Sequence, residues 1–193
     1  MRSSYEHRIT KETDIEINLN LDGSGNVYAD TGVGFFNHMI TLFASHSKFD
    51  IDIKAKGDFE VDNHHTVEDI GIVLGKCFKE AVGDKRGINR YSTFFVPMDE
   101  VLARVSVDVS GRGYLVYENP FNVERIGDFE TEILEDFLYA FCINGGLNLN
   151  IKILDKGNNH HMCEAIFKAL ARALKEAVTI TSDEIPSSKG VLW

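Results

Sequence analysis

Cysteine is scarce in this chain of 193 residues. There are three, Cys77, Cys142 and Cys163, far apart in apolar runs and none in a CxxC pair. That number and spacing exclude a disulfide framework and a thiolate metal site. The three read as small buried hydrophobes in a reducing compartment. Basic charge is also short: 20 Lys and Arg against 30 Asp and Glu give a formal net charge of −10. A nucleic-acid binder working through a basic surface is therefore not expected, although local basic pockets stay open. No apolar run approaches the roughly 18 residues of a membrane span. The start, Met1 to His7, lacks the apolar stretch of a signal peptide. A soluble, cytoplasmic protein with no membrane partner is the expectation. Gly, Pro and Ser do not gather mid-chain, so no linker is evident, and the G-x-x-x-x-G-K phosphate loop is missing.

What is present is ordinary globular material, 44% apolar and 26% charged, enough for one domain with a real core. Ile15 to Leu21 alternates strictly and closes on Asp22-Gly23, a half-buried strand and turn. A second strand includes Val27-Tyr28-Ala29. A helical stretch then carries Phe35, Met39, Leu42 and Phe43, and an alternating strand runs from Phe49 to Ala55. A long helix follows with Val67, Ile70, Leu74, Phe78 and Ala81 as its apolar stripe, ended by Gly83 to Gly87. The pattern then restarts. Val105 to Gly111 parallels Ile17 to Gly23, Glu132 to Phe141 suggests a helix, Leu147 to Leu154 a strand, and a second long helix carries Ile166, Phe167, Leu170, Ala173, Leu174 and Ala177. Two copies are too few for a solenoid. The expected fold is α+β, with internally duplicated halves packed around a pseudo-twofold axis. It forms one domain over 1–193, with halves near 8–92 and 93–180 and an aperiodic tail, 181–193.

Each long helix opens on HHxxE: His64-His65-Thr66-Val67-Glu68, then His160-His161-Met162-Cys163-Glu164. Residues four apart share a helix face, so His64 joins Glu68 and His160 joins Glu164. His65 and His161 lie about 100° further round and cannot easily serve the same ion, so each motif looks built to feed two sites. Imidazole and carboxylate together suit a divalent ion such as Mn, Fe, Co or Zn. One His-His pair at a helix start is most simply a solvated turn. Two copies at matching places make that the weaker explanation. His38 and His46 precede the first motif, and the counterpart of His38 in the second half is near Asp136. With His38 and Asp136 the motifs offer eight ligands, four for each of two ions, which leaves octahedral positions open for substrate. His7 reads as surface, and Cys163, matched by Val67, as packing.

Arg90, Arg112 and Lys189, the last within Ser187-Ser188-Lys189-Gly190, together make a credible phosphate clamp. Each alone would be a solvated cation. Glu12, just ahead of a strand, could be a general base or a solvent-facing edge residue, and Asp99-Glu100 raises the same alternatives.

These segments resemble the imidazoleglycerol-phosphate dehydratase family nearly end to end. The resemblance runs through Arg8-x-Thr10-Lys11-Glu12-Thr13, Phe36-Asn37-His38-Met39, Ser45-His46 and Asp62 to Asp69. It continues through Asn89-Arg90-Tyr91, Pro97 to Glu100, Asp108 to Arg112, His160 to Ala165 and Pro186 to Gly190. Paired HHxxE motifs with a terminal Pro-Ser-Ser-Lys-Gly are a specific combination. The resemblance implies a duplicated fold of the ribosomal protein S5 domain 2-like type. It also implies a hollow, octahedral assembly of 24 subunits, with two Mn2+ per active site at subunit interfaces. Its implied ligands are His38, His64, His65, Glu68, His160, His161 and Glu164. Asp136, an oxygen donor of shorter reach, stands where many family members have histidine, and Asn63 where they are usually acidic. Implied substrate contacts are Glu12, His46, Arg90, Arg112, Ser187, Ser188 and Lys189, with His38, His64 and His160 beside them. Catalytic roles are expected of Glu12, His46, Glu68 and Glu164.

The implied reaction, a step of histidine biosynthesis, is dehydration of imidazoleglycerol phosphate to imidazoleacetol phosphate through imidazolate and a diazafulvene-like intermediate. Glu12 is the expected base. Two other classes fit the same residues: a metal-dependent hydrolase of a phosphorylated small molecule, and a non-enzymatic metal-storage shell.

Overall fold

The computed structural model describes residues 1–192; the last residue of the expected tail, Trp193, lies outside them. The first half runs β1 (Ser3–Ile9), β2 (Asp14–Asn20), β3 (Val27–Asp30), α1 (Gly34–Ser47), β4 (Asp50–Lys56) and α2 (His64–Val82). The second half repeats it as β5 (Tyr91–Met98), β6 (Val101–Asp108), β7 (Tyr114–Tyr117), α3 (Ile133–Gly145), β10 (Asn148–Asp155) and α4 (Asn159–Ala177). It inserts one small hairpin of its own before α3, β8 (Arg125–Ile126) and β9 (Phe129–Glu130). The sheet orders, β1-β2-β4-β3 and β5-β6-β10-β7, are the same, and in each the last pair is parallel while the others are antiparallel. The duplication read from the sequence is thus a duplication of topology.

Besides the two short strands of the inserted hairpin, β1, β5 and β7 are absent from the sequence-based reading. All three are edge strands whose residues alternate between exposed and half-buried with none fully buried. The apolar contrast that reveals a strand is therefore missing. Pro97 near the end of β5 is tolerated because an edge strand need not donate every backbone N–H. The helix expected to end at Phe141 continues to Gly145, where Gly146 takes the left-handed conformation (φ 64°) that glycine adopts without strain.

The helices lie between the sheets and pair across the halves. α1 packs on α4 and α2 on α3. The first pairing is held by aromatic rings: Phe36 of α1 meets Phe137 of α3 edge-on at 5.0 Å and Phe167 of α4 at 6.3 Å, and stacks on Phe129 of β9 at 5.8 Å. All four rings are fully or almost fully buried. The second pairing depends on missing side chains. A Cβ on Gly71 would stand 2.7 Å from the Phe137 carbonyl oxygen, and one on Gly75 2.8 Å from that of Phe141. Two glycines one turn apart let the backbones of α2 and α3 touch. The core is one continuous cluster with residues from both halves.

Candidate metal and anion sites

Cross-pairing of the helices brings the ligand-type side chains together. His38 on α1 and His160 on α4 each place Nε2 3.0 Å from Glu164 Oε1. The other oxygen of Glu164 accepts from Lys168 Nζ at 2.6 Å. Glu164 is largely buried, which favours its neutral form, but hydrogen bonds from Lys168, His38 and His160 outweigh this and hold its carboxyl down at about 2. The mirrored cluster is looser: His64 Nε2 lies 3.8 Å from Glu68 and 3.9 Å from Asp136. So Asp136, from α3, joins the first motif, while His38, from the first half, joins the second.

The second histidine of each motif turns elsewhere, as the 100° rotation requires. His65 Nδ1 is 3.0 Å from Asp58 Oδ2 and His161 Nδ1 is 3.0 Å from Glu100 Oε2. In both rings this leaves Nε2 as the nitrogen available to an ion, its orientation fixed by a carboxylate on the other nitrogen. The hydrogen bond to Asp58 raises His65 above its ordinary value. Glu100, accepting from the Asn158 backbone N–H and from His161, is held at about 2. Three groups have ligand atoms close enough for one ion: His38, His160 and Glu164; Glu12, Asp58 and His65; and Asp99, Glu100 and His161. The donors are imidazole nitrogen and carboxylate oxygen throughout, which suits a borderline divalent ion. Asp58 Oδ1 is buried without a hydrogen-bond partner among the described residues. Cys163 is fully buried, and burial pushes its thiol far up, so it offers no thiolate.

The motif helices share the first bond of their cap. On α4 the Asn158 side chain accepts from the backbone N–H groups of His160 and His161, a conventional cap. On α2 the residue matching Asn158 is Asp62, and Asn63 beside it makes no cap bond. Asp62 accepts from His64 N at 2.8 Å, and the Asn63 amide instead donates to Asp128 O and Glu130 Oε2 in the inserted hairpin. Asp128 in turn accepts from the N–H groups of Gly34 and Phe35, capping α1 where Val33 cannot. The hairpin thereby fixes the helix that carries His38.

The cationic residues form a second site. Arg90, Arg112, Ser187, Ser188 and Lys189 line a cavity of about 190 Å³ with Tyr91 and Ser110. Arg90 is braced by Asp108 at 2.8 Å and by Pro186 O at 2.8 Å, and its guanidinium lies over the Tyr91 ring. Residues some hundred positions apart in sequence thus converge on one pocket suited to an anion. His46 stands outside both sites, in a cavity with Phe94, Lys168 and Arg172. Burial, then the charges of Lys168, Arg172 and Lys48, push its imidazole below the ordinary value.

Lys168 is the residue that sequence reasoning missed. Its signal was an HHxxExxxK extension found only in the second copy; the first has Ile72 at the matching place. The anion pocket opens beside Tyr91 at one end of β5, and the His161 cluster lies past Met98 at the other. Seven strand steps of about 3.3 Å put roughly 23 Å between them.

Residues 31–174 match the family model of imidazoleglycerol-phosphate dehydratase. The chain belongs to the imidazoleglycerol-phosphate dehydratase family. It is 57% identical over 194 residues to the imidazoleglycerol-phosphate dehydratase of a Thermoanaerobacter species, covering 100% of each chain. It is 56% identical over 195 residues to that of Clostridium novyi, covering 99% of this chain and 98% of the relative. The solved imidazoleglycerol-phosphate dehydratase of Staphylococcus aureus superposes with a TM-score of 0.84 at 44% identity, over 93% of this chain and 99% of its own. That of Pyrococcus furiosus gives 0.82 at 34% identity, over 97% and 100%. The chain is therefore a lyase of histidine biosynthesis acting on a small molecule. The hydrolase and storage-shell alternatives give way to that membership. Members of the family depend on metal, and the groups around His38, His65 and His161 are fit to bind one. Among the described residues no helix is long and apolar enough to cross a membrane.

Proposed function

We propose that the dehydratase works in the cytoplasm with two Mn2+ per active site, held by His38, His64, His65, Glu68, Asp136, His160, His161 and Glu164. The sites are completed between subunits of a 24-subunit octahedral assembly. One observation carries the shared site: the His161 cluster and the anion pocket stand roughly 23 Å apart along β5, too far for one small substrate to span. The Nε2 atoms of His65 and His161, left open by the bonds at Nδ1, support ligation that reaches beyond the chain. The single domain, its halves near 8–92 and 93–180, and a substrate-binding tail over 181–193 belong to the same reading.

When bound, the metal supplies a Lewis acid that favours the anionic form of the imidazole ring. The chain does the rest. Arg90, Arg112, Ser187, Ser188 and Lys189 grip the phosphate and so fix the glycerol chain. His38, His64 and His160 face the ring, and His46 completes the polar wall beside Lys168. The hydroxyl on the ring-adjacent carbon takes up the proton released from the ring nitrogen and leaves as water as the ring electrons move out, giving a diazafulvene-like substrate. The Glu12 carboxylate takes the proton from the middle carbon. The resulting enol becomes the ketone as the ring-adjacent carbon gains a proton and the enol oxygen loses one, with Glu68 and Glu164 keeping their histidines in place. Chelation is expected to reduce the assembly to small species and abolish dehydration, and manganese to restore both. Stripped protein that keeps full size and full turnover overturns the reading.

A further inference from the structure

The duplication supplies an internal control for the carboxylate that moves the proton. Glu12 and Glu100 hold matching positions in the turns β1–β2 and β5–β6, each beside the second histidine of an HHxxE motif. Glu100 is fully engaged. Its Oε1 accepts from the backbone N–H of Asn158 at 2.6 Å, and its Oε2 meets His161 Nδ1 at 3.0 Å. Glu12 is not engaged. Its carboxylate comes only within 4.0 Å of His65 Nδ1, because Asp58 occupies that nitrogen at 3.0 Å. The side chain of Glu12 is 57% exposed and makes no hydrogen bond among the described residues.

While its carboxylate is loose, the backbone around Glu12 is tightly bound. Thr10 Oγ1 accepts from the N–H groups of Glu12 and Thr13 at 3.1 and 2.9 Å, and Thr10 N donates to Thr13 O at 2.8 Å. The buried Thr13 hydroxyl donates to Asp69 Oδ2 at 2.5 Å, and the other oxygen of Asp69 pairs with Arg8 at 3.3 Å. Asp69 follows Glu68 directly on α2, so this chain of contacts ties the Glu12 turn to the first motif helix. The second half has Met98, Val101, Ala165 and Val96 where the first has Thr10, Thr13, Asp69 and Arg8. The matching turn forms without that network, with Asp99 in the left-handed region (φ 49°) and the Glu100 carboxylate bonded to Asn158 and His161. Burying a carboxylate and a hydroxyl costs desolvation that the apolar version avoids. The second half builds its turn without this network.

We propose that Thr13 and Asp69 are positioning residues for the reaction, holding the Glu12 turn at a fixed distance from the first motif. Asp58 has taken over the orientation of His65, which leaves the Glu12 carboxylate free for the substrate proton. Glu100 kept the orienting task; Glu12 gave it up. This rests on the reading of Glu12 as the base.

The experiment compares Thr13→Val, Thr13→Ser, Thr10→Val and Glu12→Gln in the manganese-loaded, assembled enzyme. Each variant is measured for kcat, KM, bound manganese and size in solution. Thr13→Val is expected to lower kcat about tenfold or more with KM nearly unchanged, and with manganese and assembly intact. Thr13→Ser, which keeps the hydroxyl, restores most of the rate. Thr10→Val, at the half-buried surface of the turn, gives the same split should Thr13→Val fail to assemble. Wild-type kcat in both valine variants overturns the proposal, as does a loss that tracks lost manganese or lost assembly. Full turnover in Glu12→Gln overturns instead the reading of Glu12 as base, and the proposal falls with it. A low rate in Glu12→Gln beside a normal rate in Thr13→Val rejects the positioning role alone.

Discussion

His38 and Glu164 lie 126 residues apart in the chain, and their side chains meet at 3.0 Å across the interface of α1 and α4. The contact joins one half of a duplicated fold to the other, so neither copy alone completes this cluster. His64 and Asp136 repeat the exchange in the opposite sense.

Glu164 is the shared acceptor of His38, His160 and Lys168. Glu164→Gln removes the charge that holds Lys168 and both imidazoles. It is expected to weaken manganese binding at that cluster on the order of 100-fold and to leave the His64 cluster loaded. Electron paramagnetic resonance titration with Mn2+ reads the two classes of site separately. Equal affinity at both would remove Glu164 from the ligand set.

Arg112 faces the anion pocket with the Ser187 to Lys189 segment. Losing one charge-assisted hydrogen-bonding group costs about 1.5–3 kcal/mol, so Arg112→Ala should raise KM roughly 10- to 100-fold. Inorganic phosphate, a competitive inhibitor of the wild type on this reading, should lose potency in parallel. Steady-state kinetics at fixed ionic strength checks both, and an unchanged KM would place the phosphate elsewhere.

Asp50 accepts from the backbone N–H groups of Ser24, Gly25 and Asn26 at 2.9, 3.1 and 2.8 Å, and these bonds lower its pKa. The folded carboxylate releases its proton more readily than the unfolded one. Its contribution is therefore full above the unfolded value and fades as pH falls through the lower folded value. Asp50→Asn should cost about 1 kcal/mol at neutral pH and progressively less toward about pH 3. Urea midpoints measured across that range test the sign; a gap that widens on acidification contradicts it.

Gly71 gives α2 its contact with α3, where an added methyl would also stand 3.0 Å from the Ala140 Cβ. Alanine is ordinarily the better helix former, yet Gly71→Ala should destabilise by about 1–3 kcal/mol because the space is taken by backbone. Thermal unfolding decides between propensity and packing.

Much of this architecture was legible before any coordinates. Ile15 to Leu21 and Phe49 to Ala55 alternate cleanly because one face is buried and the other is not, and both long helices announce themselves by stripe and motif. The pairing of helices across halves was not legible. A stripe says that a face is buried, not what buries it, so α1 could not be assigned to α4. Of the edge strands, β1, β5 and β7 carry too little contrast to be seen. Asp128 and Asn63 look like loop residues until their bonds are drawn, and Lys168 falls outside any repeat. For the site, residue types pointed to metal and phosphate, but the roughly 23 Å along β5 is a property of the fold.

The inserted hairpin has a historical consequence. Asp128 belongs to the second copy, yet it supplies the cap that the first copy's α1 lacks, while Asn63 of the first copy anchors the hairpin in return. Two identical halves could once have exchanged places without loss. These no longer can: each has given away a part that it needs and holds one that the other needs. Splitting the gene would return neither to independence, so the duplication has become a one-way step.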